Sequence, residues 1–368
     1  MAAALPHLPL STQLIGVDGG ASGVRAFDVE LVERADGRWL RADSASIARE
    51  WPQTASWRTP AQRNASSVIE LGPIDAQEED QAWKRVETTA RCVLELARKR
   101  GAARVLVGVA MPGVKTIDER GIAFARHGPR CPQFLDRLQT LLSSEGLEFV
   151  EPLSRLYSDG WCAGLGEEFA EDGLLRGAPC AYYLGGGSGL AEALKLSGEL
   201  VSLDAVQTWF PKAWQMSDAE ALLSYDDLLS ARGINALWNE QQPELAAWPE
   251  DCAESSPVAR SLFEAVGAAL ARLVVERVIS LRARGPLEES WPGPHELARV
   301  VIGLRLGRLL GDERTRSCFE HVYCETAPKL LEARRLHGVH WVTRISTLDA
   351  APAIGAAAAA LLESRGHG

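Results

Sequence analysis

Two glycine-rich segments, far apart in the chain, carry the chemistry that the sequence suggests most directly. One is Gly16-Val-Asp-Gly-Gly-Ala-Ser-Gly23 and the other is Leu184-Gly-Gly-Gly-Ser-Gly189. Each follows an apolar run that is typical of a β-strand, so each predicts a strand followed by a turn with few side chains. Backbone N–H groups in such turns can bind phosphate oxygens because no Cβ atom stands in the way. The two turns together predict a nucleotide held between two lobes.

Asp18 opens the first of these turns. Its carboxylate is placed to bind, directly or through water, the Mg²⁺ ion that accompanies ATP, although it could also accept hydrogen bonds from its own turn. The serine hydroxyls could bind phosphate or satisfy turn amides, and the glycines of the second turn could form only a tight hairpin. The predicted nucleotide-binding residues in the two turns are Asp18, Gly19, Gly20, Ser22, Gly185, Gly186, Gly187 and Ser188.

A second carboxylate, Asp159, follows a short apolar strand and precedes a helix predicted to run to about Glu171. It could accept the proton of a hydroxyl that attacks the γ-phosphate of ATP. It could equally cap the helix, since aspartate is favoured at a helix start. Trp161 lies beside it and could stack on a sugar ring, although core packing is the usual role of a tryptophan.

The elements that must position these residues follow the same order twice. Each half begins with a strand, a glycine turn and an antiparallel strand, and later adds a buried strand and helices, so two α/β halves facing a cleft are expected. Predicted strands are Leu14–Val17, Val24–Val29, Trp39–Ile47, Arg104–Ala110, Leu147–Val150, Ala181–Leu184, Ala193–Leu196, Val300–Gly303 and Val339–Val342; predicted helices are Gln81–Arg100, one from the capping box at Ser217, one from Pro257 to near Gly285, and one from Pro352.

Composition and charge narrow the class of protein. A chain of 368 residues, 46% apolar and 24% charged, is long enough for two lobes. Its net charge of −10 and pI near 5.4 argue against a nucleic-acid partner. The sequence shows neither a signal-peptide pattern nor an apolar stretch long enough for a bilayer, so a cytoplasmic protein without a membrane partner is expected. Seven cysteines without CxxC spacing indicate reduced thiols instead of a zinc site or disulfides.

Five segments, taken in order, resemble the sugar kinase, hsp70 and actin superfamily. Within it the chain is similar to the bacterial glucokinase and N-acetylglucosamine kinase group, with ROK-type and BadF/BadG-type members. Besides the two glycine turns, the similar segments are Val107-Gly-Val-Ala-Met-Pro-Gly113, Tyr157-Ser-Asp-Gly-Trp-Cys-Ala-Gly-Leu-Gly-Glu167, and Val300-Val-Ile-Gly-Leu-Arg-Leu-Gly307 with Pro352-Ala-Ile-Gly-Ala356.

The resemblance implies a fold and a set of roles. The fold would be α/β with two ribonuclease H-like lobes, each a mixed sheet flanked by helices, and an interlobe nucleotide cleft. The N-terminal lobe would span 12–155 with the closing helix 352–365, and the C-terminal lobe 156–351. Asp159 would be the catalytic base and Asp18 the magnesium ligand. The adenosine site would include Gly303, Gly307 and Gly355, and the substrate contacts would include Gly113, Asp118, Ser158 and Trp161, with the polar loop 118–130 beside the acceptor.

Two departures from the family pattern limit what can be carried over. In the first turn Ser22 keeps the hydroxyl of the usual threonine, but Gly23 stands where the family has lysine. After the second turn, the CxCGxxGC cluster and the ExGH-type sugar motif of zinc-containing ROK kinases are replaced by Ser202–Trp214. A zinc site is therefore not predicted. In that segment Trp209, Phe210 and Trp214 could stack on a sugar or pack in the core.

The implied function is an ATP-dependent kinase. It would transfer the γ-phosphoryl group of MgATP to a hydroxyl of a sugar or sugar-like polyol, such as glucose, an N-acetylhexosamine, an aminosugar or a cyclitol, and a homodimer is expected. One alternative is an activase-type ATPase, which would need a cysteine pair to hold a shared iron–sulfur cluster. The other is a catalytically weak sugar- or nucleotide-binding sensor that keeps the fold.

Overall fold

The computed structural model describes residues 5–8, 11–52, 57–60, 62, 71–245, 247–283 and 295–364. These residues form two compact units. The first unit runs to Asp172 and takes up the chain again from Ala350, and the second unit spans Gly173–Asp349. The structure therefore divides the chain after Asp172, whereas the sequence analysis placed the boundary after residue 155.

The first unit is built on a mixed sheet in the order β3-β2-β1-β4-β7, with β8 also paired to β4. The strands β1, β2 and β3 are antiparallel neighbours, and β4 runs parallel to β1, β7 and β8. A separate hairpin, β5–β6, follows β4. The strands are β1 (Thr12–Gly19), β2 (Gly23–Arg34), β3 (Gly37–Glu50), β4 (Arg104–Met111), β5 (Val114–Lys115), β6 (Ile122–Phe124), β7 (Glu148–Phe149) and β8 (Leu156–Ser158).

Local sequence explains the elements around this sheet. Every residue of β4 after Arg104 is buried, as expected for an apolar strand covered on both faces. Helix α1 (Ala76–Arg100) begins where the Asp75 carboxylate accepts a hydrogen bond from the Glu78 amide, and ends at Gly101, whose φ of 65° suits glycine. Two further helices are α2 (Phe134–Ser144) and α3 (Asp159–Phe169).

The second unit repeats this topology. Its sheet has the order β11-β10-β9-β12-β13, in which β11, β10 and β9 are antiparallel neighbours and β12 and β13 are parallel additions. The prediction of two related α/β halves with ribonuclease H-like mixed sheets is confirmed by this repeated order. The strands are β9 (Ala181–Gly186), β10 (Leu190–Leu196), β11 (Glu199–Val201), β12 (Arg299–Gly303) and β13 (Val342–Ile345).

Helices cover the second sheet and supply most of its core. The long helix α7 (Pro257–Ala283) packs Phe263, Leu270 and Val274 into one apolar cluster with Tyr182 of β9 and Ile302 of β12. Pro257 occupies its first turn, as predicted. The helices of this unit are α4 (Leu203–Val206), α5 (Tyr225–Leu229), α6 (Ala231–Gln241), α7 (Pro257–Ala283), α8 (Leu304–Gly311) and α9 (Glu313–Ala333).

The closing helix α10 (Ala351–Glu363) belongs to the first unit. A Cβ atom at Gly355 would overlap the Cys162 carbonyl oxygen of α3, and one at Gly166 would overlap the Ala351 carbonyl oxygen. The two helices thus meet at backbone contact. This contact places α3 in the first unit and explains why the division falls after Asp172.

Some predicted elements differ in the structure. No helix begins at Ser217; instead the Asp218 carboxylate accepts hydrogen bonds from the amides of Glu220 and Ala221 in a turn, and α5 begins after Ser224. The last strand begins at Val342, where the predicted strand ended. Residues 284–294 and 365, where two predicted helices end, lie outside the described residues, as does much of the irregular segment 50–75.

Of the helices in the described ranges, none has both the length and the apolarity needed to cross a bilayer.

Candidate active site

The first glycine turn joins β1 to β2 and carries an ion pair. Strand register places Asp18 directly opposite Arg25, and Arg25 Nη2 donates to Asp18 Oδ2 at 2.7 Å. The turn is closed by the Gly20 amide, which donates to the Gly23 carbonyl at 2.8 Å. A Cβ atom at Gly23 would overlap the Arg49 carbonyl oxygen of β3, so no lysine fits there in this structure. Arg25, which pairs with Asp18, provides a cation next to this turn.

The Asp18 carboxylate is largely enclosed, with 12% of its side chain exposed. Burial raises its pKa above the ordinary value, and the charge of Arg25 and its hydrogen bond act against that rise. A mostly dehydrated carboxylate gains from a cation beside it. The chemistry of this group therefore fits Mg²⁺, whose preferred ligands are oxygen atoms.

Trp51, at the end of β3, holds the first turn in place. Its indole N–H donates to the Gly20 carbonyl at 2.8 Å, and its backbone N–H donates to the Ser22 carbonyl at 2.9 Å. Gly19 lies against Met111, where a Cβ would overlap the sulfur atom. The Ser22 residue itself is exposed. The conformation of the turn is thus fixed by a tryptophan from outside the motif.

Asp159 is the first residue of α3 and directly follows β8. The Ser158 residue at the N-cap makes no side-chain capping bond. Because Met111 of β4 pairs with Ser158, and Ala110 pairs with Asp18, both aspartates lie at the carboxyl ends of this parallel group of strands. The topology brings the two acidic residues predicted from sequence to the same edge of one sheet.

Opposing influences act on the pKa of the Asp159 carboxyl. Burial raises the pKa of its carboxyl, the Lys115 ammonium lowers it, and the negative charge of Asp18 raises it. The Gly160 amide also donates to this carboxylate, so part of the alternative capping role is present. The Lys115 Nζ donates to the carbonyls of Met111 at 2.6 Å and Gly113 at 2.9 Å. Asp159 is a half-buried carboxylate with a fixed cation as its neighbour.

The remaining predicted substrate residues lie near this end of the sheet. Gly113 has a φ of 102° and lies against the β6 backbone, a conformation that requires glycine. Asp118 is exposed at the β5–β6 tip, where its carboxylate accepts from Thr116 Oγ1 at 2.5 Å and from the Arg120 amide at 3.1 Å. These bonds, that of Thr116 first, lower its pKa. Substrate contact by Gly113, Asp118 or Ser158 stays a prediction.

Trp161 stacks on Tyr157, with ring centroids 5.9 Å apart and planes inclined by 22°. Tyr157 is buried and Trp161 is partly exposed. The pair holds an aromatic face next to Asp159, and stacking on a sugar stays a prediction.

The second glycine turn joins β9 to β10 in the second unit. Gly186 pairs with Leu190, and the Gly187 amide donates to the Gly189 carbonyl at 3.0 Å. Gly185 and Gly186 are buried, whereas a Cβ at Gly187 would meet no atom within 4 Å. The tip of this turn, with Ser188, is the part that a ligand could reach.

An ion pair that the sequence analysis missed fixes this turn. Arg232 of α6 donates from Nε to the Ser188 carbonyl at 2.9 Å and from Nη2 to Asp226 Oδ2 at 2.9 Å. The other Asp226 oxygen accepts from the Leu190 amide at 2.9 Å. The Arg232 amide donates to the Gly187 carbonyl at 3.1 Å. The side chains of Asp226 on α5 and Arg232 on α6 therefore both bind the backbone of residues 187–190.

The predicted adenosine residues do not come together in one unit. Gly303 and Gly307 lie in the second unit, where Cβ atoms would come within 2.5 Å of the Tyr183 hydroxyl and 2.8 Å of the Ile302 carbonyl oxygen. Their role toward a nucleotide stays a prediction. Gly355 is buried in the first unit against Cys162, so helix packing accounts for a glycine there, and its role toward a nucleotide stays a prediction. Leu304, which has a φ of 55°, starts α8 in a strained conformation.

A buried ion pair anchors the segment that replaces the zinc and sugar motifs. Arg277 Nη2 donates to Glu192 Oε1 at 2.7 Å, and both side chains are almost fully buried. The other Glu192 oxygen accepts from the Ala213 amide at 2.6 Å, and Arg277 Nη1 donates to the Pro211 carbonyl at 2.6 Å. The Arg277 guanidinium also lies 4.3 Å from the centroid of the Phe210 ring. Trp209 and Phe210 are buried, so core packing explains them.

The described residues contain no group of three or more His, Cys, Asp or Glu side chains placed to hold a metal ion. All seven cysteines lie in the described ranges as free thiols.

Comparison with solved structures identifies the fold. A ROK family glucokinase from Streptomyces griseus, solved with glucose and AMPPNP, matches with a TM-score of 0.57 and 16% identity over 94% of this chain and 98% of that chain. The ROK hexokinase from Thermus thermophilus gives 0.57 and 16%, over 96% of this chain and 100% of that chain. A ROK family transcriptional regulator, a homologue of the E. coli MLC protein, gives 0.54 and 11%, over 96% and 80%.

No protein-family model and no curated protein sequence matches this chain. At this level of identity the structural matches establish the fold, and the chain has the two-part α/β fold of ROK-type sugar kinases. The resemblance predicted from the sequence is confirmed for the fold.

Three functional candidates escaped the sequence analysis, namely Arg25, Lys115 and the Asp226–Arg232 pair. Arg25 could have been found, because a hairpin closed between Gly20 and Gly23 places residue 25 opposite residue 18. The other residues reach their turns through tertiary contacts, for which the local sequence gives no signal.

Proposed function

We propose that this protein is a kinase that transfers the γ-phosphoryl group of MgATP to a hydroxyl of a sugar or sugar-like polyol. One observation carries the proposal. Asp18 and Asp159 lie at the same edge of one sheet, close enough for the charge of Asp18 to raise the pKa of Asp159, with the Lys115 ammonium beside Asp159. A base, a metal-binding carboxylate and a cation are the groups that phosphoryl transfer needs.

Asp159 acts as the general base in this proposal. It accepts the proton of the acceptor hydroxyl as that oxygen bonds to the γ-phosphorus, while the bond from the γ-phosphorus to the bridging oxygen breaks and ADP leaves. A carboxylate whose pKa is raised by burial is a better base than an exposed one. The Lys115 ammonium lowers that pKa and so favours the ionised form of Asp159.

The glycine turns bind the phosphates of the nucleotide in this proposal. Asp18, Gly19, Gly20 and Ser22 serve in the first unit, and Gly185 to Ser188 serve in the second unit. Arg25 supplies the positive charge that a lysine at position 23 would supply elsewhere in the family. When bound, Mg²⁺ would neutralise phosphate charge, and Asp18 would hold it directly or through water.

Known proteins with this fold support the substrate class. The Streptomyces griseus glucokinase was solved with glucose and AMPPNP, which is an ATP analogue. By analogy we assign ATP as the phosphoryl donor and a sugar hydroxyl as the acceptor. A cytoplasmic location and a homodimer complete the proposal and rest on the family resemblance and the sequence pattern.

A sensor without turnover is the second candidate function. The ROK family transcriptional regulator shares the fold, so the fold itself does not require catalysis. The absence of the ExGH-type sugar motif also favours this candidate, because its place is taken by the buried segment around Phe210.

Turnover decides between the two candidates. ADP release is measured with MgATP and a panel of hexoses, aminosugars, sugar acids and cyclitols. We expect activity with one class, and a loss of about 10²- to 10⁴-fold in kcat for Asp159→Asn. Asp80→Asn removes an exposed carboxylate of α1 in the same unit, away from the predicted site residues, and serves as the control. Full activity in Asp159→Asn would remove the proposed base, and nucleotide binding without turnover on the whole panel would favour the sensor.

A further inference from the structure

Arg85, on the inner face of α1, is a buried cation of the first unit. Only 8% of the residue is exposed. Its guanidinium lies 4.9 Å from the centroid of the Trp51 ring, and Nη2 donates to the His127 carbonyl at 3.2 Å. Trp51 is the residue that holds the first glycine turn. Arg85 is therefore packed between that turn and the loop 118–130.

The guanidinium has far fewer partners than a buried arginine normally has. Within the part of the chain that the structure describes, its buried Nε atom has no hydrogen-bond partner and no carboxylate forms an ion pair with it. Burial lowers the pKa of Arg85 to about 10. The nearby Cys131 thiol offers no negative charge, because burial raises its pKa to about 12.

Arg130, in the same unit, shows how a buried arginine is usually satisfied. It donates from Nη2 to Glu78 Oε2 at 2.6 Å and from Nε to Glu78 Oε1 at 3.0 Å, and its Nη1 donates to the Gly72 carbonyl at 2.6 Å. A buried charge without such a partner is costly unless another group supplies the opposite charge. No carboxylate in the described ranges gives Arg85 the counter-charge that Glu78 gives Arg130.

The surroundings of Arg85 connect it to the acceptor side of the candidate site. A Cβ at Gly128 would lie 2.6 Å from Arg85 Nη1 and 3.5 Å from the Ala125 side chain. Ala125 in turn lies against Gly113, whose carbonyl accepts from Lys115 at 2.9 Å. Gly128 and Ala125 thus form a chain of contacts from the guanidinium to Gly113, whose carbonyl Lys115 binds. That lysine is the cation beside the proposed base.

We propose that Arg85 binds an oxyanion carried by the acceptor, a carboxylate or a phosphate group, so that the substrate is an anionic sugar. The guanidinium offers several N–H donors in a planar fork that matches such a group, and Trp51 keeps that fork in one orientation. This inference rests on the proposed kinase function for the identity of the ligand as an acceptor. The anion site itself does not depend on turnover.

Binding and turnover are measured separately to test the site. The probes are glucose, glucuronate and glucose 1-phosphate, the last two to distinguish carboxylate from phosphate. Calorimetry without nucleotide gives Kd for each probe, and ADP release gives kcat and KM. The variants are Arg85→Met and Arg85→Lys, with Lys84→Met as control because it removes a charge from the neighbouring position of α1, where Lys84 pairs with Asp80 on the surface.

The expected result is that wild type binds one anionic probe at least tenfold more tightly than glucose. Arg85→Met should remove that preference, Arg85→Lys should keep part of it, and Lys84→Met should keep all of it. Should Arg85→Met fail to fold, the Arg85→Lys result and a probe-dependent rise in the wild-type Tm carry the test. Equal or weaker binding of both anionic probes relative to glucose would overturn the inference.

The failure of the kinase proposal would look different. An anionic probe that binds through Arg85 but is never phosphorylated would contradict the kinase proposal and leave the anion site in place. Phosphorylation of neutral glucose, unaffected by Arg85→Met, together with no preference for either anion, would support the kinase and refute the site.

Discussion

The two units share one strand order but use their charged residues differently. In the first unit, Asp18 and Asp159 lie at the edge of the sheet with raised pKa values, against which the charges of Arg25 and Lys115, respectively, act. In the second unit, Asp226 is bonded to both Arg232 and the turn backbone. The repeated topology supplies a turn at the same place in each sheet. The side chains around it decide whether the turn carries reactive groups or only a rigid backbone surface.

Glycines serve two purposes in the structure. In the first unit Gly16, Gly108, Gly166 and Gly355 allow α10 to approach strands and α3 at backbone distance. In the second unit Gly233 and Gly267 likewise lie against backbone carbonyls, whereas Gly187 has open space where a Cβ would be. Close packing therefore requires glycine in both units, and the second turn leaves accessible backbone at Gly187.

The buried Glu192–Arg277 pair provides the strongest test of this contrast. Arg277→Met would leave the Glu192 carboxylate buried without its counter-charge, which typically costs about 3–5 kcal/mol. We expect a loss of that size in the free energy of unfolding, measured with urea. Arg282→Met breaks the exposed pair with Glu296 and should cost about 1 kcal/mol or less. Equal losses in both variants would mean that the buried pair does not anchor the second unit.

Substitution of glycine by alanine tests the two kinds of glycine. Gly355→Ala forces a methyl group into the Cys162 backbone and should cost about 1–3 kcal/mol. Gly187→Ala meets no atom and should change the unfolding free energy by about 0.5 kcal/mol or less. Thermal and urea unfolding of both variants provide the comparison. A tolerated alanine at 355 would show that α10 and α3 can separate without loss.

Removal of the Arg232 side chain tests whether the rigidity of the second glycine turn contributes to ATP binding. Arg232→Met removes bonds to the Ser188 carbonyl and Asp226. Loss of one charge-assisted bond is worth about 1.5 kcal/mol or more, so KM for ATP should rise roughly tenfold while kcat changes less. Arg316→Met, in an exposed pair with Glu320, is the control. An unchanged KM for ATP would separate the turn from nucleotide binding.

The pH dependence of activity tests the cation beside Asp159. The base must be ionised, so activity is lost as pH falls through its pKa, which burial raises and Lys115 lowers. In Lys115→Met the pKa should rise further, and the acidic limb of kcat/KM should move to higher pH. Profiles of wild type and the variant with a saturating second substrate give the shift. A limb that stays in place or moves to lower pH contradicts the assignment.

Much of the fold could be predicted because its signals are local. The strand, turn and strand around Asp18, the apolar run of β4 and the end of α1 at Gly101 each depend on a few consecutive residues. The same holds for the second glycine turn. The positions of Asp18 and Asp159 after strands were therefore visible before the structure was known.

Where the structure departs from the sequence prediction, contacts with residues distant in the sequence compete with the local pattern. The capping box at Ser217 does not form because Asp218 is fully buried and accepts from Arg272 Nε of α7 at 2.5 Å. The backbone contact of Gly355 with Cys162 likewise joins distant parts of the chain, and the local sequence gives no signal for it.

The sequence by itself determined the strand, turn and strand around each glycine segment and the placement of Asp18 and Asp159 after strands, since each depends on short-range pattern and stereochemistry. Only the tertiary structure decided the partners: Arg25 opposite Asp18, Lys115 beside Asp159, and Arg232 on the second turn. It also decided that Arg85 is buried without a counter-charge from the described residues. Charge pairing depends on distances across the folded chain, and the linear pattern does not encode those distances locally.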